Sequence, residues 1–342
     1  KPIYLRMGEW GKWWKKSRAE RCKMQGFMFV KLLKECGKKK NLSEGMRLHD
    51  VILERSLLEK SPYIGNTLIS MYAKCGVLPK ARAVFDMLSV RDVISWNSVM
   101  AGYMDHDLAE EVMECLEQMI LECIAPNAIT FVCILKGCGI LGAVGMGTKI
   151  YGEIASKGIS DRNPFVGNAL VNMYAKCGLL HKAQEVFNII QVRDVVAWTI
   201  VIASYAENDL YEEALASLEQ MQFEGISPNA FTYVSILKAC GMIGGATKGK
   251  ELHARIAKEI VLEKNNILGT ALVDMYAKCG MVSKAHRVFD ELPVRDVVSW
   301  TALVAGYTQH GLGEEALQCF QQMNCEGVSP NAVTLSCIRM CK

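Results

Sequence analysis

The sequence predicts an all-α solenoid built from stacked helical hairpins. The segment MYAKCG occurs at 71–76, 173–178 and 275–280, so equivalent positions recur every 102 residues. A fixed period of this kind indicates stacked units, none of which can bury its apolar surfaces alone. The chain is also 51% apolar, has only eight prolines, and contains no alternating polar and apolar stretch of strand length. No run of about 18 uncharged apolar residues predicts a membrane span, so we expect a soluble protein.

The 102-residue period divides into units of 31, 35 and 36 residues, and the 31-residue unit shows the clearest helices. In its first half, apolar residues spaced i, i+3, i+4 and i+7 fall on one face of an α-helix. In the first copy these residues are Leu68, Met71, Tyr72 and Cys75. Gly76 is expected to end the helix, because glycine readily adopts the left-handed conformation. A second helix follows, so 62–92, 164–194 and 266–296 are each predicted to be a hairpin.

The other two unit lengths follow the same hairpin plan. The 35-residue units carry paired acids, such as Glu212 and Glu213, where the second helix starts and its dipole favours negative charge. They occupy 93–127, 195–229 and 297–331, and the 36-residue units occupy 26–61, 128–163 and 230–265. Nine hairpins are therefore complete, and 332–342 begins a truncated tenth.

Residues 1–25 match no repeat unit and form a basic segment with three tryptophans, Trp10, Trp13 and Trp14. We interpret them as a degenerate hairpin; a basic arm or appended sequence would fit the same residues. A transit peptide is not established, because Glu9 and Glu20 interrupt the segment and no starting methionine is present. Residues 1–40 hold 13 basic and 3 acidic residues, whereas the remainder holds 26 basic and 33 acidic residues. Nucleic-acid binding by this acidic body would depend on where individual basic residues lie.

Most of the fourteen cysteines recur at fixed helical positions, such as Cys75, Cys177 and Cys279. We interpret them as small buried apolar residues in a reducing compartment. No Cys-x-x-Cys pair occurs, and the six histidines lack the spacing of metal ligands. The sequence therefore predicts no metal site, no cofactor and no catalytic residues.

Four features together resemble the pentatricopeptide repeat proteins of the plant PLS subclass. They are the three unit lengths in fixed order, MYAKCG in the 31-residue units, a closing Pro-Asn, and tryptophan at the fourth position of the 35-residue units, at Trp96, Trp198 and Trp300. In that subclass, P units have 35 residues, L units 36 and S units 31. The resemblance covers 26–342 and implies a right-handed superhelical solenoid that binds single-stranded RNA. It also implies one nucleotide per hairpin, with the RNA running parallel to the chain from 5′ to 3′.

The resemblance assigns base recognition to the fifth and last residues of each P and S unit. In a helical projection Asn66 shares a polar face with Ser70 and Lys74, roughly opposite the core. The fifth positions alternate between Asn and Thr, which packing does not explain on an outward face, although both are common near helix starts. The last positions hold Asp or Asn, which also occur as ordinary turn and cap residues. The base-specifying residues implied are Asn66, Asp92, Asn97, Asn127, Asn168, Asp194, Thr199, Asn229, Thr270, Asp296, Thr301 and Asn331.

Two further sets complete the implied RNA-binding surface. The second residue of each unit would pack against a base, with ordinary packing between hairpins as the alternative. These residues are Phe27, Tyr63, Ile94, Ile129, Phe165, Val196, Phe231, Ile267 and Val298. A lysine further along the first helix would contact phosphate, with a merely solvated lysine as the alternative. These are Lys74, Lys176 and Lys278, with Lys34, Lys136 and Lys238 as further candidates.

The family's pairing code converts these residues into a target sequence. Asn with Asp implies uridine, Asn with Asn a pyrimidine, Thr with Asn adenine, and Thr with Asp guanine. The L units have valine at the fifth position, at Val30, Val132 and Val234, and are left unassigned. The implied target is 5′-NUYNUANGA-3′.

The resemblance also implies a role, which is site recognition in organellar RNA processing, mainly C-to-U editing, in a mitochondrion or chloroplast. The His-x-Glu and Cys-x-x-Cys motifs of the family's deaminase-like DYW domain do not occur in this sequence. We therefore expect a fragment, or a chain that is not an enzyme and depends on a catalytic editing partner or accessory protein, with L units as its contact. The alternative is a protein-interaction scaffold without sequence-specific RNA binding, since helical solenoids commonly bind peptides.

Overall fold

The structure is a computed structural model that describes residues 18–156, 158, 163–259 and 265–341, with the side chains of 18–25, 59–60 and 259 left aside. All regular elements within these ranges are α-helices. The three tryptophans of the N-terminal segment lie outside the described residues. The chain divides into two compact lobes: lobe 1 ends at Met173, and lobe 2 begins at Tyr174.

Lobe 1 contains nine helices and most of a tenth within its described residues. They are α1 (Arg18–Lys38), α2 (Leu42–Glu54), α3 (Leu57–Lys60), α4 (Pro62–Lys74), α5 (Leu78–Asp86), α6 (Val93–Met104), α7 (Ala109–Leu121), α8 (Ala128–Leu141), α9 (Val144–Ser156) and α10 (Pro164–Lys176), whose last turn belongs to lobe 2. Helix α1 begins eight residues before Gly26, so residues 18–25 extend the first repeat helix instead of forming a separate element.

Lobe 2 continues the same alternation of helices. They are α11 (Leu180–Ile189), α12 (Val195–Glu207), α13 (Tyr211–Phe223), α14 (Ala230–Met242), α15 (Ala246–Glu259), α16 (Asn266–Lys278), α17 (Val282–Asp290), α18 (Val297–Gln309), α19 (Gly313–Cys325) and α20 (Ala332–Met340). None of the described helices in either lobe combines the length and apolar character needed to cross a bilayer.

Each hairpin consists of a first helix, called the A helix below, and a second, the B helix. In lobe 1 the A helices α1, α4, α6 and α8 contact one another in that order. In lobe 2 the A helices α12, α14, α16, α18 and α20 do the same. The A helices of each lobe therefore lie side by side and form a continuous face, called the A face.

The MYAKCG segment forms the buried end of an A helix and its termination. Met71 and Tyr72 are each 1% exposed, and Gly76 has a φ of 77°, a left-handed conformation that ends the helix. The equivalent Gly178 and Gly280 have φ values of 74° and 75°. The expected burial of the cysteine was wrong, because Cys75, Cys177 and Cys279 are half-buried. The first and third of these are C-cap residues, where the helix ends and leaves the side chain partly uncovered.

Other cysteines behave as the sequence led us to expect. Cys115, Cys240 and Cys319 are buried, and burial raises the pKa of each thiol to about 11. These thiols are protonated at neutral pH and act as small apolar side chains. The described residues contain no group of His, Cys, Asp and Glu side chains arranged to hold a metal ion.

A recurrent cluster joins each S unit to the P unit that follows it. In lobe 2 an Arg193 guanidinium nitrogen lies 2.9 Å from Glu224 Oε1, and Trp198 Nε1 donates to Glu224 Oε2 at 3.2 Å. The same guanidinium lies 4.9 Å from the centre of the Phe187 ring, which meets Trp198 edge-on at 4.7 Å. Arg91, Phe85, Trp96 and Glu122 form an equivalent set. Arg295, Phe289, Trp300 and Glu326 repeat the ion pair, the cation–π contact and the ring contact, but Trp300 Nε1 is buried without a hydrogen-bond partner in the described residues. The repeated arginine, phenylalanine and tryptophan are thus structural residues.

Candidate nucleic-acid interface

The second residues of the repeat units project from the A face into solvent. Their exposed fractions run from 48% for Val196 to 75% for Phe27, so none is buried between hairpins. An exposed apolar residue is common on protein surfaces, but a regular row of them is typical of a binding surface. The row consists of Phe27, Tyr63, Ile94, Ile129, Phe165, Val196, Phe231, Ile267 and Val298.

The fifth residues lie deeper than the helical projection led us to expect. Asn97 and Asn168 are each only 6% exposed. The other four, Asn66, Thr199, Thr270 and Thr301, are half-buried. The projection treated each helix as if only one face were covered, whereas an A helix such as α6 has A helices on both sides. The fifth residues therefore occupy clefts between neighbouring helices, not an outward face.

The last residue of each P and S unit is the N-cap of the next A helix. Asp92 Oδ1 accepts the backbone N–H of Ser95 at 2.8 Å, and Asp194 Oδ1 accepts that of Ala197 at 2.8 Å. Asn229 Oδ1 accepts the N–H of Thr232 at 3.0 Å, and Asn127, Asp296 and Asn331 make the same bond. The cap interpretation is therefore correct for this set, and each cap stabilises its helix by about 1 kcal/mol. Base recognition by the same residues stays a prediction, in addition to the cap.

In the first P unit, the fifth and last residues are hydrogen-bonded to each other. Asn97 Nδ2 donates to Asn127 Oδ1 at 3.0 Å, and the hydroxyl of Thr130 donates to Asn97 Oδ1 at 2.7 Å. Thr130 is the third residue of the following unit and is fully buried. Because the Thr130 hydroxyl donates to Asn97 Oδ1, Asn97 Nδ2 faces Asn127, and the Asn97–Asn127 pair has a defined pattern of donors and acceptors.

In the two later P units, a threonine bridges the fifth and last residues. Thr199 Oγ1 donates to the carbonyl of Val195 at 2.6 Å and lies 2.7 Å from the hydroxyl of Thr232. Thr232 Oγ1 also lies 3.1 Å from Asn229 Oδ1. Thr301, Thr334 and Asn331 repeat this arrangement, with a distance of 2.7 Å between the two hydroxyl oxygens.

The sequence interpretation missed Thr130, Thr232 and Thr334. The available signal was an Asn-x-x-Thr capping box at the junction between a P unit and the next unit. The junctions that follow S units carry Ser95, Ala197 and Ser299 at this position. Asp194 still caps its helix at Ala197, at 2.8 Å, so the cap forms without a hydroxyl there.

The S units are arranged differently from the P units. No hydrogen bond within the described residues joins Asn66 to Asp92, and Asn66 Oδ1 is buried without a partner there. In the third S unit, Asp296 Oδ2 accepts from Asn266 Nδ2 at 3.2 Å, so the first residue of the unit contacts the last. Because a buried acceptor without a partner is costly, Asn66 Oδ1 is a candidate ligand-binding atom.

Two cavities on the A face of lobe 1 bring the expected site residues together. The first has a volume of about 490 Å³ and is lined by Tyr63, Asn66, Lys74 and Ile94, among others. The second has a volume of about 390 Å³ and shares Lys74 and Ile94 with the first. It is completed by Asn97, Asn127 and Ile129, that is, by the polar pair and the next second-position residue.

The lysines on the A face differ in their freedom to bind an anion. Lys74 and Lys176 are exposed, as are Lys34, Lys136 and Lys238. Lys278 is half-buried, and its Nζ lies 2.7 Å from Asp274 Oδ2. Lys278 therefore differs from Lys74 and Lys176, because their S units carry Ser70 and Asn172 at the position of Asp274 and lack this carboxylate. The phosphate contacts of all three lysines stay a prediction.

Comparisons with known proteins match this architecture. The model described as the PPR repeat family matches residues 91–139, 193–242 and 295–339, and the PPR repeat model matches 66–93, 168–195 and 270–297. A chloroplastic pentatricopeptide repeat-containing protein of Arabidopsis thaliana is 37% identical over 304 residues, which is 88% of this chain and 48% of the relative. A mitochondrial one from the same plant is 36% identical over 306 residues, 89% of this chain and 47% of the relative. The chain thus spans about half the length of these curated relatives.

A solved structure shows the same fold. The crystal structure of the pentatricopeptide repeat protein PPR10 in complex with an 18-nucleotide psaJ RNA element matches with a TM-score of 0.70 at 19% identity, over 87% of this chain and 44% of that chain. The structure of PPR10 from maize matches with a TM-score of 0.66 at 18% identity, over 87% of this chain and 43% of that chain. The all-α solenoid predicted from sequence is therefore confirmed.

Proposed function

The chain belongs to the pentatricopeptide repeat family, and on that premise we propose that it binds single-stranded RNA along the A face, one nucleotide per hairpin. One observation carries the proposal. The A face combines a row of exposed apolar side chains with partly covered polar pairs and exposed lysines, and lobe 1 joins all three in adjacent cavities. Unstacked bases need these three partners, which are a stacking surface, a hydrogen-bonding edge and a cation for the phosphate.

The N-cap role of the last residue decides what it can offer to a base. Asn127 Oδ1 is held by the backbone N–H groups of Ile129 and Thr130, at 3.0 and 3.1 Å, so its Nδ2 remains available as a donor. An aspartate at the same place offers its second carboxylate oxygen, which can only accept. Cytosine and adenine carry an unprotonated ring nitrogen on the Watson–Crick edge, whereas uracil and guanine carry an N–H there. Asn at the last position therefore suits cytosine or adenine, and Asp suits uracil or guanine.

The fifth residue would complete the choice between purine and pyrimidine. The hydroxyl proton of Thr199 is used on the Val195 carbonyl, so its oxygen faces a base only as an acceptor. An acceptor suits the amino group of adenine or cytosine and disfavours the carbonyl of guanine or uracil, and the family code assigns adenine to this pair. Asn97 keeps one N–H of its amide after bonding to Asn127, and this donor suits the carbonyl oxygen of a pyrimidine. These assignments agree with the target 5′-NUYNUANGA-3′ that the family code implies.

Stacking would come from successive second-position residues. Ile94 and Ile129 line the cavity that also contains Asn97 and Asn127, so a base hydrogen-bonded there would lie between the two aliphatic side chains. Aromatic stacking contributes about 1–3 kcal/mol per base, and aliphatic contacts contribute less. Each position would be weak, and affinity would come from the array.

A pair of RNAs with the same composition tests sequence recognition. We expect 5′-UUCUUAUGA-3′ to bind at least tenfold more tightly in fluorescence anisotropy than 5′-UAGUAUUCU-3′, which mismatches all six assigned positions. The experiment should be done at several salt concentrations, because phosphate contacts make affinity salt-dependent. Equal affinity for the two RNAs would refute sequence-specific binding.

The unit lengths favour assignment to the PLS subclass, with L units at 26–61, 128–163 and 230–265. We further propose that the protein selects sites for C-to-U editing in a mitochondrion or chloroplast, the compartments named for its relatives. A catalytic or accessory protein would supply the chemistry. Transcript sequencing in plants that lack the protein tests this role, since editing should disappear at cytidines adjacent to the target sequence. Unchanged editing at all such cytidines would contradict it.

A protein-interaction scaffold remains the second candidate, favoured by two observations. The body of the chain holds 33 acidic against 26 basic residues, and its row of exposed apolar side chains would also suit an apolar peptide. The RNA comparison separates the candidates, because a scaffold has no reason to distinguish the two oligonucleotides.

A further inference from the structure

The cavity of about 490 Å³ lies between α1, α4 and α6 and differs from the rest of the A face in its aromatic lining. Phe27 and Tyr63 both line it and are 75% and 70% exposed. They are second-position residues of adjacent units. No other adjacent pair of second positions among the described residues is aromatic on both sides. This cavity can therefore hold a planar ring between two aromatic side chains.

The same cavity has the densest positive charge on the A face of lobe 1. Lys31, Lys34 and Lys38 line it from α1, spaced i, i+3 and i+7 on one side of the helix, and Lys74 lines it from α4. Within the described residues, none of these four lysines forms an ion pair. The single acid in the lining, Glu35, lies 3.8 Å from Lys39, which is outside the cavity.

Close approach of the two helices aligns these lysines. A Cβ atom on Gly37 would lie 3.5 Å from the Cα of Met71 and 3.3 Å from Cδ of Lys74. The absence of a side chain at Gly37 therefore leaves room for the Lys74 side chain beside α1. Lys31, Lys34, Lys38 and Lys74 consequently line one cavity.

The corresponding place in the third L and S units lacks this combination. Phe231 is followed by aliphatic Ile267, so only one aromatic side chain remains. Two of the four lysine positions hold Ser235 and Met242, and one of the remaining two, Lys278, is paired with Asp274. The chain thus contains its own control for the cavity.

We propose that this cavity, called the N-terminal clamp, binds the first nucleotide of the sequence 5′-NUYNUANGA-3′, the one that faces unit 26–61, without regard to its base. The proposal rests on RNA binding by the A face and makes one of its positions the anchor. Phe27 and Tyr63 stack on the two sides of the base, and the lysines hold the phosphates that flank it. Val30, the fifth residue that lines the clamp, has no hydrogen-bonding side chain with which to select a base. The clamp anchors the RNA in register so that weaker sites downstream can read their bases.

A double-mutant cycle with abasic RNA tests the clamp. In 5′-UUCUUAUGA-3′, removing the first base should weaken binding about tenfold or more, in line with two-sided aromatic stacking. Removing the seventh base, which would lie between Phe231 and Ile267, should cost about threefold. In the variant Phe27→Ala/Tyr63→Ala, loss of the first base should have almost no further effect. Both side chains are exposed, so their removal should leave the fold intact by circular dichroism.

Base identity and salt give two further measurements. The four bases at the first position should bind within about threefold of one another. The triple variant Lys31→Ala/Lys34→Ala/Lys38→Ala should lower the slope of log affinity against log salt by about two. The clamp would be overturned if removing the first base and removing the seventh base lowered the affinity equally. It would also be overturned if removing the first base cost the Phe27→Ala/Tyr63→Ala variant as much affinity as it costs the wild type. Equal binding of the scrambled RNA would instead refute sequence recognition and leave the clamp measurement readable.

Discussion

Replacing Thr232 by valine tests whether the buried hydroxyl behind a base-reading pair controls its selectivity. Valine has nearly the same shape, so the change removes one oxygen from a fully buried position without opening a cavity. The lost contacts are the one to Thr199 Oγ1 at 2.7 Å and the one to Asn229 Oδ1 at 3.1 Å. The backbone N–H of Asn229 also loses its acceptor, at 3.2 Å.

Two effects of different size follow from these contacts. The free energy of unfolding should fall by about 1–2 kcal/mol, because a buried network loses its central member. The preference for adenine over guanine at the sixth nucleotide should fall by about fivefold, equivalent to one neutral hydrogen bond of about 1 kcal/mol. Thr199 remains in place, but its oxygen is no longer held by a second hydroxyl.

Anisotropy titrations with 5′-UUCUUAUGA-3′ and with guanine at the sixth position measure the selectivity. The ninth nucleotide, which Thr301 would read, provides the internal control and should keep its preference. Ala197→Ser is the matched control variant, because it adds a hydroxyl at the position of its unit that Thr232 occupies in the next one. Asp194 already caps that helix through a hydrogen bond of 2.8 Å to the Ala197 N–H. Destabilisation of the Thr232→Val variant with unchanged selectivity at the sixth nucleotide would refute the positioning role.

Three other perturbations test the scaffold and the phosphate contacts. Arg193→Ala should lower the free energy of unfolding by about 1–2 kcal/mol, because it removes the ion pair with Glu224 and the cation–π contact with Phe187. A urea midpoint of the variant equal to that of the wild type would contradict this. Burial lowers the pKa of His253, so stability should be full above the unfolded pKa of about 6.5 and fall as the pH drops below it. His253→Gln should flatten that decline in urea midpoints between pH 7.5 and 5. Lys74→Ala should reduce the salt dependence of RNA binding more than Lys278→Ala does, and equal effects would show that the ion pair of Lys278 does not matter.

The hairpins could be predicted from sequence because their signals are local. Apolar spacing defines the buried side of each A helix, and Gly76 and its copies end the helix through a single backbone conformation. The caps are equally local, since Asp92 and Asn127 contact backbone three residues away. The half-burial of Cys75 was missed because apolar periodicity does not reveal where a helix ends beneath its last side chain.

The candidate site depends on contacts between hairpins and was therefore harder to predict. The depth of Asn97 arises from the A helices on both sides of α6, which a projection of one helix omits. The bridging role of Thr130 requires two units to be placed side by side, since the hydroxyl belongs to one and Asn97 to the other. The pairing of Lys278 follows from one substitution on its own helix and could have been found by comparing the three S units.

The central claim is that fifth-position side chains select bases, and a variant that exchanges two of them tests it most directly. Thr199 and Thr301 are both expected to read adenine, at the sixth and ninth nucleotides. In Thr199→Asn/Thr301→Asn, preference measured by anisotropy should move from adenine to a pyrimidine at those two nucleotides and stay unchanged elsewhere. Continued preference for adenine at both would contradict the account.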